Sequence, residues 1–588
     1  DGDLDILPNG TTYAAWYEFA PSKQEDGTLA PKWIRHNLPP AAAGHGIGFG
    51  EALVPKSIFT AQGRAIATAG DWRWQSFSSL TTDRRLQLHA DASVPILVSN
   101  APSSKAAEYQ LIWGRGHRTG LYQATARGIE AIDTSWSQCH APLFADINND
   151  GQPDLVAGKR YLGHEGKDPG EYDPLVIYWY EFQKATQTWQ RHVIDEAGPA
   201  GLDLDPKVID LDGDGDLDLI APSRHGLYYY ENLLVNPRGS QADIPTNRAL
   251  AAYTDHSKLL IHATDAGDLV PAKTPAEWGR RRWHVLRSME QVMGPLPNPS
   301  QRVPLGNSLK IEPQASRSEK YDSFRVRFQA ESDGNLLAAT LLVPRARGDK
   351  PLPAMLCLHP TSLPHGKKVA TGEFAKENRA YAHELAERGF VCLCPDYPTM
   401  GENAWELKAD RQPYRSGSMQ AIWENVRCLD LLEALPYVDG ERIGAIGHSL
   451  GGHNSLFTAC FDLRIKCVVT SCGFTPFHDY KNGKLAGWTS DRYMPRIRDL
   501  YANDPARMPF NFYEVLAAIA PRPIFICAPL HDDNFDVTGV KKAVLEASKV
   551  YDLLGKQHGL VTHYPDCQHD FPTEARHAAY DWLAEQLK

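Results

Sequence analysis

Two rhythms of apolar and polar positions divide the chain. Over roughly the first 235 residues, aromatic and β-branched runs lie between Gly, Asp and Pro turns without a helical period, which predicts strands. Within this part, Trp16-Tyr-Glu-Phe and Trp33-Ile-Arg-His recur as Trp179-Tyr-Glu-Phe and Trp189-Gln-Arg-His. From Tyr321 onward, short apolar runs alternate with segments of helical period. Residues 324–330 and 336–343 predict a hairpin, and 354–358, 391–394, 442–446, 466–470 and 524–528 predict strands. Helices are predicted over 381–388, 418–435, 451–460 and 577–587; in the second of these Met419, Ile422, Val426, Leu429 and Leu432 share one face. An earlier helix over 278–293 carries Trp283, Leu286, Met289 and Val292 at the same spacing and is closed by Gly294 and Pro295. Alternation of this kind implies a mostly parallel sheet covered on both faces. Residues 236–246 are polar and turn-rich, as a linker is. The expected organisation is multidomain: all-β repeats over 1–235, a joining segment over 236–280, and an α/β domain with a doubly wound sheet over 281–588.

Composition narrows the function classes. A length of 588 residues fits two to four domains. The net charge of −11 lacks the basic excess that gathers nucleic-acid phosphates or anionic lipid, so neither nucleic acid nor a membrane surface is expected as a partner. No apolar run approaches the ~20 residues that span a bilayer. Of ten cysteines, Cys357, Cys392, Cys394 and Cys527 sit inside apolar runs and read as buried thiols. A single disulfide involving Cys472 or Cys567 stays open.

Two acidic loops stand 64 residues apart: Asp146-Ile-Asn148-Asn-Asp150-Gly-Gln-Pro-Asp154 and Asp210-Leu-Asp212-Gly-Asp214-Gly-Asp216-Leu-Asp218. Oxygen ligands at positions 1, 3, 5 and 9, with glycine after position 5 for the sharp turn, suit a hard cation, and calcium is expected. The ligands would be Asp146, Asn148, Asp150 and Asp154 in one loop and Asp210, Asp212, Asp214 and Asp218 in the other. Neither loop has a Glu at position 12, so this is no EF-hand pair, and the ion is expected to stiffen a turn. A repeat this long suggests propeller blades or an array. The chain opens on Asp1-Gly-Asp-Leu-Asp-Ile, the second half of the same motif, so a longer natural N-terminus and a lost export signal are expected. These loops resemble the FG-GAP/VCBS repeats, whose β-propellers carry D-x-[DN]-x-D-G-x-x-D turns. The resemblance covers 1–234 and lapses over 48–121, where residues 99–109 replace an acidic loop. At 64 residues per blade, 235 residues make fewer than four, whereas propellers close with ~4–8. An incomplete propeller or open blade array follows.

The catalytic signal lies after the strand over 442–446. Gly447-His448-Ser449-Leu450-Gly451-Gly452 is a G-x-S-x-G turn between strand and helix, where glycines leave room for a strained serine. A serine hydroxyl needs a base, and the base an acid that fixes its tautomer. With this turn the chain order is Ser, acid, His. Asp532 leads as the acid, with Asp533 and then Asp536 behind it. His569, in Cys567-Gln568-His569-Asp570-Phe571-Pro572, leads as the base, ahead of His563 and His558. Two oxyanion donors are required; the N–H of Leu450 supplies one. The other should come from His359-Pro360-Thr361, where Pro360 has no N–H, which leaves Thr361. His359 itself is equally suited to a structural place beneath the site. Residues 474–501, with Trp488, Tyr493 and Met494, read either as a lid or as core.

These residues resemble the α/β-hydrolase superfamily and, within it, the dienelactone-hydrolase and acetyl-xylan-esterase-like branch. The resemblance covers 281–588 and rests on His359-Pro-Thr, Asp396-Tyr-Pro, Gly447-His-Ser-Leu-Gly-Gly and His569-Asp-Phe-Pro. In dienelactone hydrolases proper the nucleophile is Cys; Ser449 in its place implies simple ester hydrolysis. The expected protein is a secreted or periplasmic serine esterase for acylated or methyl-esterified carbohydrate, needing no cofactor for catalysis. Two other readings stay open: a propeller-gated serine peptidase similar to the prolyl oligopeptidases, and a non-catalytic calcium-dependent adhesion protein.

Overall fold

In the computed structural model, the described residues are 109–234 and 251–587, apart from 126–127, 165, 199, 225, 265–266, 332–335, 347, 349 and 409–411, with short segments between 15 and 99. The N-terminal copy of the acidic motif and the stretch 236–246 lie outside them. The chain divides into two compact units. The first comprises Asp1–Glu171, Leu175–Phe182 and Trp189–Gly239; the second comprises Tyr172–Pro174, Gln183–Thr188 and Ser240–Lys588.

Among the described residues the first unit is all β. Its strands form antiparallel sheets in chain order: Ile47–Gly50 to Asp71–Ser76, Ile96–Ser99 to Gly128–Ser137, and Leu143–Ala145 to Thr188–Glu196 are four-stranded, and Lys207–Ile209 to Gly226–Tyr230 is three-stranded. Among the described residues, antiparallel strands are therefore also found within 48–121, where the acidic motif lapses. The recurring aromatic signals are the two arms of equivalent pairings: Ala15–Phe19 pairs with Trp33–Asn37, as Val176–Gln183 does with Thr188–Glu196. Along Asp154–Gly158, Leu155 and Ala157 join a core with Ile112, Leu121 and Trp136, while Val156 joins another with Leu202, Leu219 and Ala221. The period of two therefore buries both faces of this sheet against its neighbours in sequence.

The second unit is built on nine strands: β1 (Lys310–Gln314), β2 (Tyr321–Gln329), β3 (Leu336–Pro344), β4 (Leu352–Leu358), β5 (Val391–Pro395), β6 (Val438–His448), β7 (Ile465–Ser471), β8 (Ile524–Cys527) and β9 (Leu560–His563). Their order is β1-β2-β3-β5-β4-β6-β7-β8-β9. The first three pairings are antiparallel and the rest parallel. The helices that flank it are α1 (Pro275–Met293), α2 (Tyr381–Glu387), α3 (Gly417–Ala434), α4 (Leu450–Phe461), α5 (Phe512–Ile519), α6 (Val537–Leu553) and α7 (Thr573–Gln586). Successive residues of β4 explain the unbroken apolar runs. Ala354, Leu356 and Leu358 belong to the core shared with α1, α3 and α4, while Met355 and Cys357 belong to the core shared with α2 and α7. A strand buried on both faces has no polar position to spare. All ten cysteines are free thiols, nine of them buried, so no disulfide involves Cys472 or Cys567.

Candidate active site

Strand β6 ends at His448, and the chain turns into α4 through Ser449, whose φ of 55° and ψ of −117° lie where a side chain is strained. Crowding forces the glycines around it. A Cβ on Gly451 would stand 1.9 Å from the Leu358 carbonyl oxygen, one on Gly447 2.2 Å from Gly451, and one on Gly452 2.8 Å from Gly473. The Ser449 N–H donates to the Ser471 carbonyl at 2.8 Å, tying the turn to the end of β7. The Leu450 amide opens α4, in the first turn whose N–H groups find no acceptor inside the helix.

Beyond β8, Asp532 is buried and His569 is half-buried. His569 Nδ1 donates to both carboxylate oxygens, at 3.0 and 2.9 Å. Burial pushes the Asp532 carboxyl up, but hydrogen bonds from His569 and from the Phe535 and Asn534 amides outweigh it and hold the group below its ordinary value. Asp533 and Asp536 are exposed, and Asp536 caps α6 by accepting from the Gly539 amide at 2.9 Å. His563 stacks on Phe525, and His558 is exposed. The His569 ring centroid lies 4.9 Å from that of His448, the residue before Ser449. Burial and the nearby Arg379 push His448 well below the usual histidine range, so it stays neutral.

The surrounding loops hold this pair in place, and two of the residues that do so, Arg379 and Asn378, carried no sequence signal. Arg379 on the loop before α2 binds the Asp570 carboxylate and donates to the His569 carbonyl at 3.1 Å, and Asn378 donates to Asp570 at 2.6 Å. The Cys472 thiol donates to the Asp570 carbonyl at 3.2 Å, and burial pushes that thiol well above its usual value. Asp396, in the Asp-Tyr-Pro segment, is buried with Lys367, whose Nζ lies 2.5 Å away, and it accepts from the amides of Lys367 and Glu402 at 2.7 and 3.0 Å. That carboxylate joins the loops after β4 and β5, which frame the serine.

His359 is structural: Nδ1 donates to the Pro360 carbonyl at 2.7 Å, and Nε2 accepts the Tyr397 amide at 2.9 Å. Thr361 is exposed, with its hydroxyl 3.0 Å from the Tyr493 hydroxyl. Of the three residues in the lid segment, Trp488 and Met494 belong to the core and Tyr493 faces Thr361. Beside Tyr493 opens a cleft of about 400 Å³ lined by Thr399, Trp405, Leu407, Ser490, Asp491, Arg492 and Arg498.

The acidic loops occupy matching turns of consecutive sheets, between Leu143–Ala145 and Asp154–Gly158 and between Lys207–Ile209 and Asp218–Ser223. Asp146 accepts from the Asp150 and Gly151 amides, and Asp210 from those of Gly213 and Gly215. Ligand oxygens of Asp210, Asp212 and Asp214 lie within 4.8 Å of one another. One Asp214 oxygen is buried without a hydrogen-bond partner. Burial, with Asp150 and Asp146 beside it, pushes the Asp154 carboxyl up to about 7. The converging oxygens of the second loop, which lack positive charge, fit a hard cation; among the described residues the carboxylates of the first loop form no such group.

Residues 326–555 match the family "Glucuronyl esterase, fungi", a span that contains Ser449 and Asp532 and stops before His569. The chain is 24% identical over 275 residues to YtaP of Bacillus subtilis (strain 168), covering 45% of this chain and 86% of YtaP. It is 25% identical over 206 residues to the carbohydrate esterase MZ0003 from an unknown prokaryotic organism, covering 32% of this chain and less than half, 46%, of that protein. Among solved structures, a glucuronoyl esterase from Solibacter usitatus aligns with a TM-score of 0.46 at 20% identity, covering 57% of this chain and 99% of that one. Over residues 326–555 the second unit is thus glucuronyl-esterase-like, and the comparisons point to an esterase-type hydrolase.

Proposed function

We propose that the chain hydrolyses carboxylic esters on carbohydrate, uronate esters first among them, through Ser449, His569 and Asp532. The observation that carries this reading is the buried Asp532 carboxylate on His569 Nδ1, beside the strained Ser449 turn. With Nδ1 committed, the other ring nitrogen of His569 takes the Ser449 proton as Oγ attacks the ester carbonyl. The Leu450 and Thr361 amides receive the oxyanion, the alcohol leaves with the proton from His569, and water releases the acid from the acyl-enzyme. The family match favours an acyl half that is the sugar's own carboxyl group. The cleft with Arg492 and Arg498 provides hydrogen-bond donors for a glycan chain.

The first unit, in this reading, is an incomplete propeller whose two loops bind calcium through Asp146, Asn148, Asp150 and Asp154 and through Asp210, Asp212, Asp214 and Asp218. Calcium supplies charge that holds each turn closed and takes no part in ester chemistry. Such loops fill at extracellular calcium levels, which supports an exported protein.

The test is release of alcohol from a glucuronate benzyl ester and of acetate from acetylated xylan, by wild type and Ser449→Ala. Turnover of the uronate ester that vanishes in the variant is the expected result. Acetate release alone would move the substrate to acylated sugars, and turnover that survives in the variant would remove Ser449 from the chemistry.

A further inference from the structure

The first unit contains a second cluster of metal-binding groups, unrelated in chemistry to the acidic loops. His117 lies on the turn between the strands Tyr109–Gly114 and Thr119–Thr125, and His164 and Asp168 lie on the loop between Asp154–Gly158 and Val176–Gln183. The two loops belong to consecutive sheets. His117 Nδ1 stands 2.9 Å from His164 Nδ1 and 3.2 Å from Asp168 Oδ2, and His164 Nδ1 stands 2.6 Å from that same oxygen. All three side chains are half-buried.

Protons cannot satisfy this triangle. Each ring nitrogen carries either a proton or one lone pair in the ring plane, and the oxygen is ordinarily an acceptor only. With one proton among the three atoms, the remaining two face each other lone pair to lone pair. With two, proton faces proton. A cation replaces the proton and satisfies all three edges at once. The size fits: a point about 2.0–2.1 Å from all three atoms, the zinc–nitrogen distance, lies about 1.2 Å off their plane. The loop is also held in place. The buried Glu171 carboxylate accepts from the amides of His164, Gly166 and Asp168, and the buried Lys159 ammonium donates to the Gly170 and Glu171 carbonyls at 2.8 and 3.2 Å. The His140 ring packs beside both histidines, centroids 5.8 and 6.4 Å away, with Nδ1 facing the Gln138 carbonyl.

We infer that His117, His164 and Asp168 bind a divalent transition-metal ion, of which zinc is the type. Two imidazoles and one carboxylate suit zinc, copper or nickel and not calcium, which takes oxygen ligands. Three protein ligands leave a tetrahedral ion one further position for water or an added anion.

The test uses the full chain stripped by chelator and then held in excess calcium, which keeps the acidic loops filled. Zinc binding is followed by calorimetry and the bound ion counted by elemental analysis. Cobalt substitution reports the geometry through its visible ligand-field bands. Wild type is expected to bind one zinc ion and to show tetrahedral cobalt bands. His164→Ala should weaken binding by roughly 100-fold or more, beyond the 10–100-fold typical of outer-shell partners. Asp168→Asn keeps the loop's shape and should also weaken binding, so a misfolded alanine variant does not decide the matter. His569→Ala controls for the Cys472, Asp532 and His569 cluster and should leave the stoichiometry at one. No zinc uptake by wild type, or uptake lost in His569→Ala and kept in both first-unit variants, overturns the assignment.

Discussion

The methyl group that Gly451 lacks would collide with the Leu358 carbonyl at 1.9 Å, so the serine turn rests on contact between the end of β4 and the start of α4. In Gly451→Ala, strand and helix must part. The expected cost is about 1–3 kcal/mol of stability, read from denaturant unfolding, and a fall in turnover far larger than the remaining folded fraction explains. Asp532 separates charge from shape at the same site. Its carboxyl is held below the ordinary 3.8, so it is ionised throughout the neutral range. Asp532→Asn should keep the fold and lower kcat by about 10⁴-fold, the scale expected when the base loses its correct tautomer. The sign of the stability effect follows. A lowered folded value stabilises above the unfolded one and is lost as pH falls through the folded one, so the gap in melting temperature between wild type and Asp532→Asn should be flat at neutral pH and narrow below about 4. A gap that widens in acid would contradict the pairing.

Helix α3 shows what burial on every side does to an element. Glu424 on it is buried, and burial, with the neighbouring Glu331 charge, overcomes hydrogen bonds from Gln420 and Asn403 and the Arg415 charge, pushing the carboxyl up to about 8. A raised folded value contributes stability that is full below the unfolded value near 4.5 and lost as pH rises toward 8. Wild type should therefore melt at progressively lower temperature from about pH 5 to 8, and Glu424→Gln should flatten that slope; equal slopes would place the charge elsewhere. Burial also decides which elements were legible in the sequence. Strands β4, β5, β7 and β8 are apolar on both faces and stood out as unbroken runs. Strand β1, exposed over Lys310–Pro313, and the half-buried β9 gave no such pattern. Helix α5 is too short for its apolar run to display a helical period, and α6 mixes Val537, Thr538 and Gly539 into its first turn. At the candidate site, chain order after Ser449 singles out Asp532 and His569, and these two side chains pair at 2.9 Å. Arg379 and Asn378 were not legible, since they meet Asp570 across about 190 residues of chain and no local motif marks them.

At the scale of the whole molecule, each unit has its own hydrophobic cores, and every residue assigned to ester chemistry lies in the second. The acidic loops lie in the first, each closing the first hairpin of its sheet, and in the second loop the Asp210, Asp212 and Asp214 carboxylates converge. A ligand that binds only the folded state stabilises it by RT ln(1 + [L]/Kd), about 2.7 kcal/mol at one hundred times Kd. For a unit of this size that is about 5–10 °C of melting temperature per site. Scanning calorimetry should show two transitions, of which a calcium chelator lowers only one. Adding calcium back with zinc withheld should restore it, which separates the acidic loops from the His117, His164 and Asp168 cluster. Hydrolysis of a small aryl ester, which in the proposed mechanism needs only residues of the second unit, should run at the same rate with and without chelator below the lowered transition. Loss of that activity, or a single transition that moves as a whole, would mean that folding of the catalytic unit depends on the calcium loops. The first unit would then be a structural part of the catalytic fold and not a separately folding module.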